Sequence, residues 1–166
     1  MFLSALFAFL ALPGLFALLL PPIIAYLDPW RGRLWVGGYP ILAAGALVLL
    51  WCVWDFYVSG KGTLAPWDPP KHLVVVGLYR HVRNPMYLGV VLLVLGWALA
   101  LCSPLVGGYT AVLATFFHIR VVTGEEPWLS LQFPSQWAEY AAAVPRWLPR
   151  ATPWDAGSHT SAQPSK

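Results

Sequence analysis

The chain has 166 residues, of which 58% are hydrophobic and only 10% are charged. A soluble domain usually carries about 25% charged residues, because its surface faces water. The composition therefore argues against a DNA-binding domain, a disordered regulator and a disulfide-rich secreted module, and it predicts a small integral membrane protein. The net charge of +3 does not favour a nucleic-acid partner, because the charges stand in clusters between long uncharged runs.

Long apolar runs predict about four membrane-spanning helices, near residues 2–22, 34–57, 85–102 and 105–122. The first run has no charge before Asp28 and lacks the basic start of a signal peptide, so we expect a retained helix. Pro13-Gly14 and Pro21-Pro22 should kink this helix or end it early.

A helical hairpin is predicted between Asn84 and Ile119, a stretch of 36 residues with no charge other than a possible one on His118. One helix of this length would measure about 54 Å, which is too long for a single crossing. Ser103-Pro104 and Gly107-Gly108 lie in its middle and should break it. At its start, Asn84 can act as N-cap, with Pro85 at the first helical position.

The fold class that follows is an all-α, polytopic membrane bundle with a single domain over residues 1–150. Within it, residues 58–83 form the longest polar loop, where aqueous chemistry could be done. Residues 125–150 suit a short interfacial helix and an extended end, which we expect to cap the site from the cytoplasm. Residues 151–166 are small and polar and predict a disordered tail.

The basic residues predict the orientation. Four spans place eight of the ten Lys and Arg residues on one side of the membrane and leave Arg31 and Arg33 on the other. By the positive-inside rule both termini are cytoplasmic, and we expect an integral protein of a bacterial inner membrane. Cys52 and Cys102 then lie near opposite faces of the bilayer, too far apart for a disulfide.

Charged residues of both signs should meet at the cytoplasmic end of the hairpin. Arg83 precedes the third span and Glu125-Glu126 follow the fourth, so the two sets should lie within reach of each other. Cations, anions and aromatic walls together suit a zwitterionic ligand, such as one with an amino acid end and a purine. The alternative is that Arg80 and Arg83 anchor a helix at the headgroups while the glutamates pair with Arg120.

Other polar residues carry weaker signals. Tyr79 and Tyr87 could belong to an interfacial aromatic belt instead of a site. His72, His81 and His118 do not stand at metal-ligand spacing with cysteines or carboxylates, so no metal site is predicted.

Three segments resemble a family of membrane methyltransferases that includes the isoprenylcysteine carboxyl methyltransferases and the phospholipid N-methyltransferases. The segments are Gly77-x-Tyr79-Arg80-x-x-Arg83-Asn84-Pro85-x-Tyr87-x-Gly89, then Glu125-Glu126, then Phe133-x-x-x-Trp137-x-x-Tyr140-x-x-x-Val144-Pro145-Arg146-x-x-Pro149. The resemblance covers about residues 73–150.

This resemblance implies methyl transfer from S-adenosylmethionine to a lipophilic acceptor, such as a prenylcysteine carboxylate or a phospholipid amine, at the membrane–cytosol boundary. The implied partners are this lipophilic substrate and the membrane lipids. The residues that match the family's cofactor pocket are Tyr79, Arg83, Asn84, Pro85, Tyr87, Glu125, Glu126, Tyr140 and Arg146. Of these, Arg83, Glu125 and Glu126 are the expected catalytic residues. A carboxylate acceptor needs no base, whereas an amine acceptor would need one, and Glu125, Glu126 or His81 could serve.

The chain departs from the family pattern at three positions. Asn84 stands where a histidine is usual, which removes a titratable group. Pro127 biases Glu126 away from helical geometry, so the helix is expected to break there and Glu125 is favoured as its anchored member. Pro134 stands where a glycine is usual.

Two alternatives to a methyltransferase remain open. Sterol-type membrane reductases, which use NADPH, share a similar Arg-x-x-Arg-His/Asn-Pro-x-Tyr segment, although the acidic pair and the short chain count against them. A non-catalytic membrane scaffold is the other alternative.

Overall fold

The computed structural model describes residues 10–59, 73 and 75–155, and within these ranges the chain forms helices and turns without any strand. In chain order the elements are a π-helical segment Leu10–Leu19, α1 (Leu20–Leu27), α2 (Gly38–Ser59), a 3-10 turn Gly77–Arg80, α3 (Pro85–Ala100), α4 (Pro104–Arg120), a π-helical turn Val121–Glu125, α5 (Glu126–Gln132) and α6 (Pro134–Ala143). The prediction of a helical protein is confirmed for this part of the chain.

Two helices of the described ranges are long and apolar enough to cross a membrane. They are Gly38–Asp55, within α2, and Pro104–Gln132, which joins α4 to α5, and each has a mean hydropathy of 1.5. Both carry large exposed apolar side chains, such as Leu47 and Val112. Shorter apolar helices cover Leu15–Leu27 and Pro85–Ala100.

The first helix passes its prolines and ends at Leu27, so the end expected at residue 22 is wrong. The π-helical segment runs directly into α1, and the proline pair occupies the first positions of that α-helix. The prolines therefore lie where the helix changes from π to α hydrogen bonding, a place at which a missing N–H group can be accommodated. The predicted start of this span, residues 2–9, lies outside the described residues.

The predicted hairpin is confirmed by α3 and α4, which are joined by a short turn at residues 101–103. Ser103 ends the turn, and its hydroxyl accepts a hydrogen bond from the backbone N–H of Val106 at 3.3 Å. Cys102 in the same turn adopts a left-handed backbone with φ of 44°. Both cysteines are free, as predicted.

Glycines let α2 and α3 approach at backbone distance. A Cβ atom at Gly45 would lie 2.8 Å from the carbonyl oxygen of Gly89, and one at Gly96 would lie 2.6 Å from the Cβ of Leu42. Both distances are too short for real side chains, so small residues are required at this crossing. The crossing holds α3 against α2 and so fixes the position at which α3 begins.

Asp28 ties the first helix to the hairpin turn. It is only 6% exposed and accepts hydrogen bonds from the Ser103 hydroxyl, the Leu105 backbone N–H at 3.0 Å and the Trp30 backbone N–H at 2.9 Å. Desolvation acts to raise the pKa of Asp28, but these hydrogen bonds outweigh it, so the pKa lies below the ordinary value. The Asp28 carboxylate therefore provides an acceptor for a backbone N–H group in the first turn of α4, which has no partner within that helix.

The helix expected to break at Pro127 does not break. Glu126 has helical angles, φ −65° and ψ −43°, and the helical residues run without interruption from Pro104 to Gln132. The π-helical turn Val121–Glu125 comes just before Pro127, so the proline lies where π hydrogen bonding changes to α, and its missing N–H group can be accommodated there. Both glutamates are therefore held on a helix.

The C-terminal segment packs beside the residues that precede α3. Its backbone is held antiparallel to them by three hydrogen bonds of 2.9–3.0 Å, Arg83 N–H to Pro145 O, Arg150 N–H to His81 O and Trp154 N–H to Arg80 O. A cluster of buried aromatic side chains, formed by Trp137, Tyr140 and Trp154 with Val144, lies under this segment.

The predicted disordered tail is wrong at its start, residues 151–155. Trp154 is 7% exposed because it packs on Tyr140, with ring centroids 5.5 Å apart, and Asp155 forms an ion pair with Arg80. The remainder of the tail, residues 156–166, and most of the polar loop predicted over 58–83 lie outside the described residues.

Candidate functional site

Arg83, Glu126 and Arg146 form an ion cluster, which we call the clamp. Arg83 lies just before α3, Glu126 begins α5, and Arg146 lies in the segment after α6. The Arg83 Nη1 atom is 3.0 Å from Glu126 Oε1, and Arg146 donates from Nε and Nη2 to the two carboxylate oxygens at 2.7 Å each. Three parts of the chain that are distant in sequence thus meet at one carboxylate, as predicted for Arg83 and one of the two glutamates.

The clamp is largely buried and carries excess positive charge. The side chains of Arg83 and Glu126 are 13% and 14% exposed, and that of Arg146 is 32% exposed. Burial lowers the pKa of Arg83, while Glu126 acts to raise it, and the pKa of Arg146 is raised by its hydrogen bonds to Glu126. Since arginine stays protonated in proteins, two cations share one anion here.

Arg83 has a donor that no described group uses. Its Nε atom is buried and has no hydrogen-bond partner within the described part of the chain. Its guanidinium lies 5.6 Å from the ring centroid of Trp137, close enough for a cation–π contact. A buried unpaired donor is costly, so an anionic ligand that accepts from it would be favoured.

Asn84 holds the C-terminal segment instead of capping α3. It occupies the N-cap position, but its side chain makes no capping bond, and its Nδ2 donates to the carbonyl of Arg146 at 3.2 Å. The expectation that its side chain caps the helix is therefore wrong. Pro85 is buried at the first position of α3, as predicted. Asn84 thus helps to position the clamp.

Glu125 belongs to a second cluster, with Tyr87 and Arg120. The Tyr87 hydroxyl donates to Glu125 Oε1, and Arg120 Nε donates to the same oxygen at 2.8 Å and to the Tyr87 oxygen at 3.1 Å. The alternative in which a glutamate pairs with Arg120 thus holds for Glu125. Arg83 contacts Glu126, and both glutamates lie on the unbroken helix, so the preference for Glu125 as the helix-anchored member is wrong.

Tyr140 and His81 hold the segments beside the clamp together. The Tyr140 hydroxyl donates to the carbonyl of Tyr79 at 2.7 Å, and the Nδ1 atom of His81 lies 2.8 Å from the carbonyl of Arg150. Burial raises the pKa of both Tyr79 and Tyr140. Tyr140 and His81 are therefore engaged by backbone groups.

A half-open groove of about 230 Å³ lies between α3, α4 and Trp147, and sequence reasoning missed it. Its lining residues are Leu88, Val91, Ala114, Phe117, His118 and Trp147. The indole Nε1 of Trp147 donates to Nδ1 of His118 at 3.1 Å. The lining residues of each helix are three or four positions apart and so share one helix face, which is the signal that the sequence offered. The residues described here include no group of three His, Cys, Asp or Glu side chains that could hold a metal ion.

Comparisons with known proteins support the family resemblance. The model of a family described as phospholipid methyltransferase matches residues 34–136. Two curated relatives from Arabidopsis thaliana, protein-S-isoprenylcysteine O-methyltransferases A and B, are each 34% identical to this chain over 77 residues. That match covers 46% of this chain and 39% of each relative, so the chain spans about two fifths of their length. No solved structure matches the chain.

Proposed function

Since the chain belongs to the phospholipid methyltransferase family, we propose that it transfers a methyl group from S-adenosylmethionine to a lipophilic acceptor at the membrane–cytosol boundary. The observation that carries this proposal is the clamp, in which two guanidinium groups share the carboxylate of Glu126 and one buried donor of Arg83 is left over. The family match also favours methyl transfer over the reductase alternative.

The clamp fits the amino acid end of S-adenosylmethionine. Arg83 and Arg146 would bind its carboxylate, since guanidinium groups pair well with that planar anion. Glu126 would accept from its ammonium group. When bound, S-adenosylmethionine supplies a methyl group on a positively charged sulfur, which is already activated for transfer.

The residues around the clamp would bind the ligand and hold one another in position. Glu126 is held by two arginines, Glu125 by Tyr87 and Arg120, and His81 by the carbonyl of Arg150. Both glutamates are therefore engaged, and we assign Glu126 to binding and Glu125 to positioning Tyr87. Holding two reactants in line can supply about 7–11 kcal/mol of the barrier. The C-terminal segment beside Arg83 would exclude water from the site.

We further propose four membrane spans in which both termini face the cytoplasm of a bacterium. The two apolar helices of spanning length and the two shorter ones support this count. Arg31 and Arg33 lie at the end of the bundle that holds Asp28, whereas Arg83, Arg120 and Arg146 lie at the clamp end, as the positive-inside rule requires. The clamp then faces the compartment that supplies a soluble methyl donor, and the C-terminal segment covers it from the cytoplasm.

Ligand binding to the purified full chain in detergent tests the proposal. S-adenosylmethionine should raise the thermal midpoint, by an amount that corresponds to about 2.7 kcal/mol at a concentration of 100 times Kd, and NADPH should not. Calorimetric titration of Arg83→Ala should show about 10- to 150-fold weaker binding, because a charge-assisted hydrogen bond is lost. Arg33→Ala, remote from the clamp, is the matched control and should bind like the parent.

Each alternative outcome has a distinct meaning. Stabilisation by NADPH alone would support the reductase, and stabilisation by neither ligand would support the scaffold. Unchanged binding by Arg83→Ala would show that the clamp is not the binding site.

A further inference from the structure

The clamp is largely buried, so a ligand can reach it only if a part of the chain moves. The side chains of Arg83 and Glu126 are 13% and 14% exposed. Both residues are tied to helices, since Arg83 lies just before α3 and Glu126 begins α5. Arg146 instead belongs to the C-terminal segment, residues 144–155, which forms neither helix nor strand. This segment is therefore the part of the chain around the clamp that can move with the smallest loss of structure.

The C-terminal segment is bonded along its length to one short stretch, residues 80–84. The Arg83 N–H donates to the carbonyl of Pro145 at 2.9 Å. Further along, the Arg150 N–H donates to the carbonyl of His81 at 3.0 Å. Because these bonds share one short partner stretch, we expect them to open together as a cooperative unit, while the helices stay folded.

The far end of the segment is held by a latch, which consists of Arg80, Trp154 and Asp155. The Trp154 side chain is buried and packs on the ring of Tyr140 at a centroid distance of 5.5 Å. The Arg80 Nε donates to the carbonyl of Trp154 at 3.0 Å, and the Trp154 N–H donates to the carbonyl of Arg80 at 2.9 Å. Arg80 also forms an ion pair with Asp155. The latch thus fixes the end of the segment that carries Arg146.

Two features keep the latch weak enough to be reversible. The indole Nε1 of Trp154 is buried and has no hydrogen-bond partner among the described residues, which offsets part of the stabilisation from burying the ring. The ion pair joins side chains of Arg80 and Asp155 that are 34% and 65% exposed, and such exposed pairs contribute little. The closed position therefore depends mainly on the packing of one ring, which can be lost without unfolding a helix.

We propose that the C-terminal segment is a gate for the clamp: it opens as one unit to exchange the ligand, and the latch sets how often it opens. Opening withdraws Arg146 from Glu126 and uncovers Arg83, and closing restores the clamp around the ligand. Trp154 and Asp155 lie outside residues 34–136, so the family match does not supply this role. The identity of the ligand rests on the proposed function, whereas the opening itself does not.

Hydrogen exchange of the detergent-purified full chain without ligand, measured by mass spectrometry, tests the opening. Peptides that contain the N–H groups of Arg83 and Arg150 should exchange at least about 10-fold faster in Trp154→Ala than in the parent, because the burial of the ring is lost. Arg83 is remote from Trp154 in sequence, so faster exchange there means that the whole segment opens.

Two variants serve as controls for the latch. Trp154→Phe keeps an aromatic ring on Tyr140 and lacks only the unpartnered N–H and part of the ring, so it should exchange like the parent. Leu148→Ala removes an apolar side chain of the same segment that is 78% exposed, and it should also exchange like the parent. Unchanged exchange at Arg83 in Trp154→Ala would overturn the proposal, and so would equal opening in Trp154→Phe and Trp154→Ala.

Rates of ligand binding test the gate. Rapid filtration with radiolabelled S-adenosylmethionine should show association and dissociation both about 10-fold faster in Trp154→Ala, with Kd within about 2-fold of the parent value. The reason is that the latch holds the segment closed with and without ligand, so its loss speeds entry and exit equally. Loss of a binding group, as in Arg83→Ala, changes Kd instead.

The outcomes separate the gate from the proposed function. Faster hydrogen exchange in Trp154→Ala together with unchanged binding rates would overturn the gate. If the parent bound no S-adenosylmethionine, the proposed function would fail, and the exchange result would still decide whether the C-terminal segment opens as one unit.

Discussion

Replacing Glu126 by glutamine removes the negative charge that two arginines share. The amide keeps the shape of the side chain and one acceptor oxygen, so the change is mainly electrostatic. Arg83 is 13% exposed at its side chain, which makes rehydration of its guanidinium incomplete. We therefore expect Glu126→Gln to destabilise the fold, even without a ligand.

The magnitude follows from the burial of the pair. Removing one partner of a buried ion pair costs about 3–5 kcal/mol, and the lower end applies here because the second partner, Arg146, is 32% exposed. A loss of about 3 kcal/mol corresponds to a fall in thermal midpoint of about 6–12 °C for a chain of this size. The adjacent Glu125 pairs with Arg120 at side chains that are 34% and 44% exposed, so Glu125→Gln should cost only about 0.5 kcal/mol.

Thermal unfolding of the two variants and the parent, in one detergent, is the measurement. The two substitutions are chemically identical and lie at neighbouring positions, so effects on expression or detergent binding should be shared. Equal thermal midpoints for Glu125→Gln and Glu126→Gln would refute the reasoning, because the greater burial of the clamp would then make no difference to stability.

Three further outcomes are expected from the packing, the turn and the topology. Gly45→Ala should lower stability by about 1–3 kcal/mol, because its Cβ would meet the backbone of α3. A Cβ atom added at Gly107 would have no atom within 4 Å, so Gly107→Ala should leave stability unchanged or raise it. Equal losses of stability in Gly45→Ala and Gly107→Ala would contradict the close approach of α2 and α3. Asp28→Asn should lower the thermal midpoint at neutral pH. Because the pKa of Asp28 is lower in the folded state, the difference in midpoint between the parent and Asp28→Asn should be complete above pH 3.8, the ordinary pKa of aspartate. It should fade as the pH falls through the pKa of the folded state. A difference in midpoint that grows on acidification would contradict this reasoning. Reporter fusions after Pro104 and after Pro149 should lie on opposite sides of the membrane, and same-side results would contradict the hairpin topology.

Local patterns of sequence were sufficient for the hairpin and for the proximity of Arg83 to the acidic pair. The long uncharged run with breakers in its middle predicts two antiparallel helices, and the adjacency of their ends then brings Arg83 to the acidic pair. The motif segments carry the family resemblance, which the family match supports. These features depend on residue order and composition alone, so no knowledge of packing was needed.

Backbone continuity at the prolines could not be predicted from the residues alone. The bias of Pro127 on its neighbour is real, but the π-helical turn before it accommodates the ring, and the helix continues. This continuity decides the partners of the acidic pair, since it turns Glu126 toward Arg83 and Glu125 toward Arg120. The rule that proline ends a helix likewise predicted an end near Pro21-Pro22 for the first helix, which continues to Leu27.

What the sequence by itself determined is the class of the protein: its composition and apolar runs predict a helical membrane protein, whose helical fold is confirmed in the described residues, and its motifs indicate the family. Only the tertiary structure decided which charges pair, that Trp154 packs into the fold, and that Trp147 donates a hydrogen bond to His118 beside a half-open groove. The physical reason is that hydrophobic burial is approximately additive along a chain, whereas ion pairs and hydrogen bonds depend on distances of a few ångströms. Such distances are set by the crossing of α2 and α3 and by the path of the C-terminal segment, which no local pattern encodes.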